Sequence, residues 1–507
     1  MSRLAGTRTR FVAAGSGAAR SLRRVNLAGV TRVVVVGGAA AALVHAAAVR
    51  PLDLDLVAAS GEPETPVVDS ALPTRASQIC SGSELTGIPG VPDVAIPATV
   101  TAASAPADLL PVEPAPGGTL SATSGATRLL EVDARGGSAT ATLPATGPVR
   151  LTGGGALAPA VTGTQEWLRA APDLRGLVSA PCATGASDLW LLAGGAGPGR
   201  QERLVLTNPG ANPVTADVTV HGDAGPLGDP AVETVAPGGR VSLLLDARFG
   251  EEQHPAVHVR ADGGGLHATL TDTWVSGSTP LGAETTTATA APSTVHVVPA
   301  AVVGAGPTTL RVAVPGEQGA VVKVTVLAPD GLVPLTGESV LSVGAGAVGE
   351  LALAGVPAGT DAVVIRADVP VVASVFSRVG PGTVPGEIAW SVAGTGLRKV
   401  GGAAFAPTPS VTRTLHLVST GGSSTAQVVT VIDGTARSQT VQLQADRLAA
   451  VPLEGATSVW VRREGGSGEL RGAVISSTGV AAARMISSMP LVETPVTSAV
   501  SRAFPVP

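Results

Sequence analysis

The 507-residue sequence contains no tyrosine, three asparagines and, among its 33 basic residues, only two lysines, Lys323 and Lys399. These residue types have AT-rich codons, so a GC-rich genome explains their scarcity better than a functional constraint does. The asparagines precede Leu or Pro, and no Asn-x-Ser/Thr sequon for N-glycosylation occurs. Five tryptophans and five phenylalanines are few for a protein that stacks sugars on aromatic side chains.

Familiar catalytic and nucleotide-binding motifs are also missing. The sequence has no Gly-x-Ser-x-Gly elbow, HExxH helix, P-loop or strand-linked dinucleotide fingerprint. After residue 50 no apolar pattern of helical period is long enough for a large helix, which disfavours an α/β enzyme fold. We therefore predict that the protein is not an enzyme, with no catalytic residue and no cofactor.

Charge is divided unevenly along the chain. Residues 1–50 contain eight arginines and no acidic residue, so the remainder has 25 basic and 38 acidic residues, a net charge of −13. An acidic body of this kind repels the phosphates of nucleic acid, so no nucleic-acid binding is predicted.

The N-terminus predicts export. Seven arginines precede an uncharged apolar run from Val33 to Val49, which is at the short limit for a membrane-spanning helix. The positive-inside rule places the arginines in the cytoplasm and the body outside, as in a single-pass protein of the cell membrane. The alternative is secretion after signal-peptide cleavage near Ala46–Ala48, although 32 residues before the run is long for a signal peptide.

Cys80 and Cys182 are the only cysteines. In an oxidising compartment a disulfide between them is the natural expectation, and two free thiols are the alternative. Neither lies in a CxxC pair, and two cysteines alone do not make a structural zinc site.

A block of strand-like segments recurs three times in the C-terminal two-thirds of the chain. Leu204, Leu310 and Leu415 occupy equivalent positions 106 and 105 residues apart. Strands with period-2 alternation and Gly-rich turns of this length are typical of one small β-sandwich per repeat. We predict an all-β protein of tandem immunoglobulin-like β-sandwiches after a single N-terminal transmembrane helix, with a β-propeller as the alternative.

The predicted organisation has seven parts. The parts are a basic cytoplasmic tail (1–32), the membrane segment (33–49), a linker (50–75), an N-terminal β region with both cysteines (76–185) and three sandwich repeats (186–284, 296–392 and 402–492). Within the N-terminal β region a short helix is predicted from Thr164 to Ala171, with Thr164 as its cap and Pro172 after its end.

The segment around the second cysteine resembles a known family. Asp173 to Cys182, Asp188-Leu-Trp190, the Gly194-Gly195 turn and Arg203 to Pro209 are similar to the pattern of the actinobacterial domain of unknown function 5719. The resemblance implies a large exported protein with a basic tail and one membrane segment in the actinobacterial envelope. It brings no catalytic residue with it, and Cys80 lies in Ile79-Cys-Ser where the family pattern has Cys-Pro-Gly.

The best candidates for a metal site are Glu251, His254 and His258, because residues four apart on a strand share a face. Pro255 interrupts that geometry, and zinc normally takes at least three protein ligands, so an ordinary polar strand end is favoured and no metal is predicted.

Three aspartates, Asp262, Asp272 and Asp368, would form a glycosidase pair only if folding placed two of them about 5 to 9.5 Å apart. Aspartate favours turns because its side chain bonds the following backbone, and we predict strand-end turns. The tryptophans lie in apolar segments that predict core packing rather than sugar platforms.

Two functions remain. The first is a non-enzymatic, membrane-anchored scaffold or interaction module, an extracytoplasmic rod of sandwiches whose partner is another envelope protein. The alternative is an envelope polysaccharide-binding protein, with a cell-wall glycan as its partner, or an accessory to a cell-wall glycosyltransferase.

Overall fold

The computed structural model describes residues 69–83, 85–86, 94–144, 147–171, 174–380, 385–480 and 483–500. About 60% of the chain is strand and 3% is helix, and the sheets are antiparallel, so the predicted all-β class is confirmed. No helix within these ranges is long and apolar enough to cross a membrane. The predicted anchor from Val33 to Val49 lies outside them.

The first of four modules precedes the three sequence repeats and contains two four-stranded sheets. It also has two 3-10 turns, Ala107–Leu109 and Gly155–Leu157. Its strands are β1 (Asp69–Ala71), β2 (Arg75–Cys80), β3 (Leu85–Thr86), β4 (Val94–Ala95), β5 (Thr99–Ser104), β6 (Leu120–Ser124), β7 (Thr127–Val132), β8 (Ser138–Thr142), β9 (Val149–Gly154), β10 (Val161–Ala170) and β11 (Arg175–Pro181). The sheet orders are β2-β9-β6-β7 and β11-β10-β5-β8.

The second module carries the first repeat and a short helix, α1 (Leu245–Phe249). Its strands are β12 (Asp188–Leu191), β13 (Arg200–Thr207), β14 (Val214–Gly222), β15 (Gly225–Pro226), β16 (Ala231–Val235), β17 (Arg240–Leu244), β18 (Ala256–Asp262), β19 (His267–Ser276) and β20 (Thr279–Thr287). One sheet has the order β12-β18-β14-β15, with β16 beside β14, and the other β17-β13-β19-β20.

The third module carries the second repeat. Its strands are β21 (Ser293–Val303), β22 (Thr308–Ala313), β23 (Ala320–Ala328), β24 (Gly331–Val333), β25 (Val340–Val343), β26 (Val348–Ala352), β27 (Gly359–Arg378) and β28 (Ile388–Val392). The long strand β27 pairs with β23 in its first half and with β22 in its second, so it contributes to both layers of the module.

The fourth module carries the third repeat, in sheets of order β32-β31-β34-β29-β37 and β33-β30-β35-β36. Its strands are β29 (Val400–Ala404), β30 (Thr412–Thr420), β31 (Ser424–Ile432), β32 (Thr435–Leu443), β33 (Arg447–Pro452), β34 (Ser458–Gly465), β35 (Glu469–Thr478), β36 (Met485–Pro490), β37 (Val492–Thr494) and β38 (Ser498–Val500).

Alternation along the strands explains why each module closes on its own core. In β14 the residues Val214, Ala216, Val218 and Val220 are buried and most of those between them are not. Because alternate side chains of a strand point to opposite faces, this places one apolar face inward. Each module has its own cluster of buried side chains, to which both of its layers contribute.

The repeat seen in the sequence corresponds to equivalent positions in these modules. Leu204, Leu310 and Leu415 are fully buried, and each lies between two neighbouring strands of its sheet. The spacing of about 105 residues is therefore a structural period.

The modules contact one another in a closed circuit, whereas the sequence predicted a rod. The described residues all belong to one compact unit. The first module packs against the fourth, where Glu166 accepts hydrogen bonds from the Arg413 guanidinium at 2.9 Å and the Ala406 amide at 2.7 Å. The first and fourth modules, which are farthest apart along the chain, are thus neighbours. The alternation of side chains within single strands does not encode this contact.

Four edge strands, one from each module, meet at the centre of this circuit. β11 contacts β20 and β36, and β28 contacts the same two strands. Residues at or just beyond the C-terminal ends of all four line one cavity of about 170 Å³, so the strands run in the same direction. A propeller also places inner strands around an axis, but a blade is a single sheet, whereas each module here has two layers. The arrangement covers four edges that would otherwise be exposed.

The two ends of the described chain are paired. In the register of β1 with β38, Asp69 lies opposite Val500 and Ala71 opposite Ser498. A shared apolar cluster, including Leu109 and Trp460, lies where the first module meets the fourth.

The predicted helix at 164–171 is wrong. These residues belong largely to β10, which pairs with β5 on one side and β11 on the other. Trp167 enters the first core, and this burial together with two strand partners outweighs the capping signal of Thr164.

Candidate functional site

The predicted disulfide between Cys80 and Cys182 is confirmed. Both cysteines are buried in the core of the first module. Next to Cys80, Ser81 contacts the second module, since its hydroxyl lies 2.9 Å from that of Thr269 and its carbonyl accepts a hydrogen bond from Arg240 at 2.7 Å. The link therefore holds the end of β2 at a module boundary.

The metal candidates are held apart by separate partners. His254 Nδ1 lies 2.7 Å from Asp223, whereas the His258 ring stacks on Trp190 with centroids 4.2 Å apart. Across the described ranges, no group of three or more His, Cys, Asp or Glu side chains is arranged to hold a metal ion.

The three aspartates have different surroundings. Asp262 ends β18, as the turn prediction requires. The prediction is wrong for Asp368, which lies within β27 and accepts a hydrogen bond from the Val321 amide at 2.8 Å. It is also wrong for Asp272, which lies in the middle of β19 and is fully buried. Its partners come from the neighbouring strand and the next module, which a local pattern does not reveal.

Asp272 lies at the centre of a buried cluster between the second and third modules. The Arg200 guanidinium donates to both carboxylate oxygens at 2.9 and 2.6 Å, and Trp390 Nε1 donates at 2.8 Å. Arg311 lies over the Trp390 ring at 4.7 Å and donates to Glu350 at 2.9 Å. We call these residues, with Glu202, the Arg200–Asp272 cluster.

Glu202 completes the charge balance of this cluster. It lies directly opposite Asp272 in the pairing of β13 with β19. Burial raises the pKa of Glu202 to about 9, assisted by its hydrogen bond with Asp246 and the charge of Asp272. At neutral pH Glu202 is therefore protonated, and two guanidinium groups face two carboxylates. A balanced, buried cluster of this kind joins modules.

A second buried carboxyl pair, Glu284 and Glu387, lies where β20 approaches β28. Ser487 of β36 donates to Glu284 of β20 at 3.1 Å and accepts from the Ser179 amide of β11 at 3.1 Å, so three inner strands contribute, and Glu387 immediately precedes the fourth, β28. Burial raises the pKa of Glu387 well above its ordinary value, and the charge of Glu284 raises it further, whereas Arg175 and backbone amides oppose the shift.

The carboxyl pair predicts a stability that falls as pH rises. A carboxyl whose pKa is higher folded than unfolded binds more protons in the folded state, so the free energy of unfolding decreases above the unfolded pKa. Replacing Glu387→Gln should raise the free energy of unfolding by about 1–3 kcal/mol at pH 8 and change it little at pH 4. Urea unfolding across this range is the measurement. The exposed Glu454→Gln is the control, and parallel pH profiles for wild type and Glu387→Gln would contradict the assignment.

An open groove of about 680 Å³ lies between the third and fourth modules. Its charged lining residues are Arg398, Arg463, Arg471, Glu469 and Glu493. It shares Ala290, Gly394 and Thr395 with the central cavity. We call it the junction groove. Its volume lies in the range of small-ligand sites.

The junction groove is not predicted by the sequence. The available signals were Arg398-Lys399, which contains one of the two lysines, and Arg462-Arg463 before a Gly-rich turn. Nothing in the sequence shows that these segments, more than 60 residues apart, line one groove.

Tryptophans do not line the junction groove. Trp274 is partly exposed, but guanidinium groups of Arg200 and Arg378 lie over it at 5.0 and 4.8 Å. The other four, Trp167, Trp190, Trp390 and Trp460, are buried.

Comparison with known proteins gives one extensive match. A model of the family of unknown function DUF5719 matches residues 132–454, more than half of the chain. No curated protein matches.

Two solved structures show weak likeness. Protein 1070 of Thermotoga maritima is 17% identical over 21% of this chain and 94% of that chain, with a TM-score of 0.18. A tetra-tandem repeat from the extending region of a large adhesion protein is 14% identical over 76% of this chain and 92% of that chain, with a TM-score of 0.10. At these scores neither carries an argument.

Proposed function

The chain belongs to the DUF5719 family of unknown function, and we propose that it is a non-enzymatic scaffold or interaction module on the outer side of the cell membrane in an actinobacterial envelope. The observation that carries the proposal is the buried Cys80–Cys182 disulfide. Such links form and persist in oxidising compartments. The arginine-rich start and the apolar run from Val33 to Val49 supply the anchor.

The four modules suit a scaffold. We propose that each is an immunoglobulin-like β-sandwich, a fold that leaves loops and outer edges free for contacts while its core provides rigidity. The buried charges described above serve the boundaries between modules, since Arg200 and Asp272 bond each other and Trp390 across one of them. A rigid body on a tether presents its partner-binding surfaces at a fixed geometry.

Export and anchoring predict a specific thiol state in cells. The full chain should be found in the membrane fraction and should react with a maleimide-polymer reagent only after unfolding and reduction. A variant that lacks residues 1–50 should remain inside the cell, where thiols stay reduced, and should react after unfolding without reductant. Gel mobility after labelling measures both states.

The same cells test the scaffold role. Crosslinking before lysis should join the full chain to other envelope proteins, and the variant without residues 1–50 serves as the matched control. Reactive thiols in the full chain without reductant would contradict export, and equal crosslinking of both chains would contradict a role at the envelope.

The second candidate function is recognition of envelope polysaccharide, as a binding protein or as an accessory to a cell-wall glycosyltransferase. The observation that favours it is the junction groove, an open site with three arginines on a body whose net charge is strongly negative.

A further inference from the structure

We propose that the junction groove binds an acidic saccharide through carboxylate or phosphate groups, with Arg398 and Arg463 as the residues that contact them. The inference rests on the second candidate function and specifies its ligand. The groove is lined by three arginines and two glutamates.

Both glutamates of the groove are occupied by donors of the protein itself. Glu469 accepts a hydrogen bond from Arg471 at 2.7 Å. Glu493 Oε2 accepts from the backbone amides of Arg398 and Lys399. Among the residues described, no carboxylate forms an ion pair with the guanidinium of Arg398 or Arg463. Both guanidinium groups therefore lack a carboxylate partner within the described chain and can pair with an anionic ligand.

Arg463 is held in place by a rigid loop. Its Nη2 donates to the carbonyl oxygens of Gly466 and Gly468. Gly468 is fixed in turn, because its amide donates to Ser423 O at 2.9 Å and its carbonyl accepts from Ser424 Oγ at 3.0 Å. A Cβ added at Gly468 would lie 2.2 Å from Gly422 O, so the loop requires glycine there. A guanidinium positioned before binding loses less entropy when a ligand arrives.

Arg471 is buried beneath the same site. It donates to Gly394 O at 3.2 Å, to Thr420 at 3.3 Å and to Glu469, so it ties the linker between the last two modules to the fourth module. Arg398, by contrast, is exposed. One wall of the groove is thus held by hydrogen bonds, and the other carries an exposed charge.

Charge, rather than stacking, determines the ligand class. The lining contains no Trp or Phe, so a neutral sugar lacks the aromatic platform on which it usually stacks. A planar guanidinium can donate two parallel hydrogen bonds to a pair of oxygens of a carboxylate or of a phosphate. Sugars that carry either group have the chemistry that this groove recognises.

The test uses the full chain in detergent and three polymers as probes: polygalacturonate, poly(glycerol phosphate) and neutral dextran. We expect saturable binding to at least one acidic polymer, weakened by added salt, and none to dextran. Arg398→Ala and Arg463→Ala should each weaken binding about tenfold. Arg437→Ala, exposed on β32, is the matched control and should change it less than about twofold. Biolayer interferometry measures the dissociation constants.

The outcomes distinguish the assignment of the junction groove as the binding site from the broader proposal that the protein recognises polysaccharide. Carboxylate recognition appears as binding to polygalacturonate and phosphate recognition as binding to the second polymer, and either supports the inference. Binding that neither arginine variant weakens, or equal binding to dextran, overturns the groove assignment and leaves polysaccharide recognition standing. If no polymer binds, both fail. Because Arg463→Ala also removes loop contacts, Arg463→Lys and Arg398→Glu are included. A Lys variant that retains binding and a Glu variant that abolishes it attribute the effect to charge.

Discussion

Replacing Cys80 and Cys182 together with alanine is expected to lower the free energy of unfolding by about 4–5 kcal/mol. The two residues are 102 positions apart, and the chain-entropy model gives about 4.7 kcal/mol for a loop of 100 residues. The loop that the disulfide closes contains nearly the whole first module. Removing the disulfide therefore increases the conformational entropy of this module in the unfolded state. Equilibrium unfolding in urea measures the change.

Reduced wild type is the natural control for this variant. It should unfold at nearly the same urea concentration as the Cys80→Ala, Cys182→Ala chain, because both lack the link and differ by two small buried groups. If the variant is as stable as oxidised wild type, the first module is held by its packing alone and the disulfide does not contribute to its stability.

Replacing Asp272→Asn is expected to lower the free energy of unfolding by about 3–5 kcal/mol. Asparagine can still accept the hydrogen bond from Trp390, but it removes the charge that two donors of Arg200 contact at 2.9 and 2.6 Å. An unpaired buried charge is costly, whereas replacing both members of a buried pair is often nearly neutral. Glu202 lies opposite and can ionise when Asp272 is lost, which favours the lower end of the range.

Two further variants make the Asp272 result interpretable. Glu131→Gln breaks the exposed pair of Arg128 and Glu131 and should cost less than about 1 kcal/mol. Arg200→Met combined with Asp272→Asn should be more stable than Asp272→Asn alone, because no charge is then left without a partner. A cost for Asp272→Asn no greater than that of Glu131→Gln would show that the cluster does not hold the modules together.

Two kinds of feature could be predicted from the sequence: patterns that are visible within a short segment, and pairings of a residue type that is rare in the chain. Leu204, Leu310 and Leu415 were placed correctly because each strand's alternation is visible within a few residues. The disulfide was predictable because the chain has only two cysteines.

The features that the sequence did not predict depend on partners far along the chain. The segment around Trp167 forms a strand because β5 and β11 pair with it, and Asp272 is buried because Arg200 and Trp390 surround it. The junction groove combines Arg398 with a loop more than 60 residues later. Single-residue propensities and short patterns contain no information about these contacts.

The pairing of β1 with β38 has a consequence for how such a body can evolve. Because Asp69 lies opposite Val500, a short connection could join the two ends while a cut elsewhere, for example in the turn between two modules, created new ones. Proteins with adjacent termini tolerate such circular permutation. The fold thus specifies which modules are neighbours but not which one is translated first.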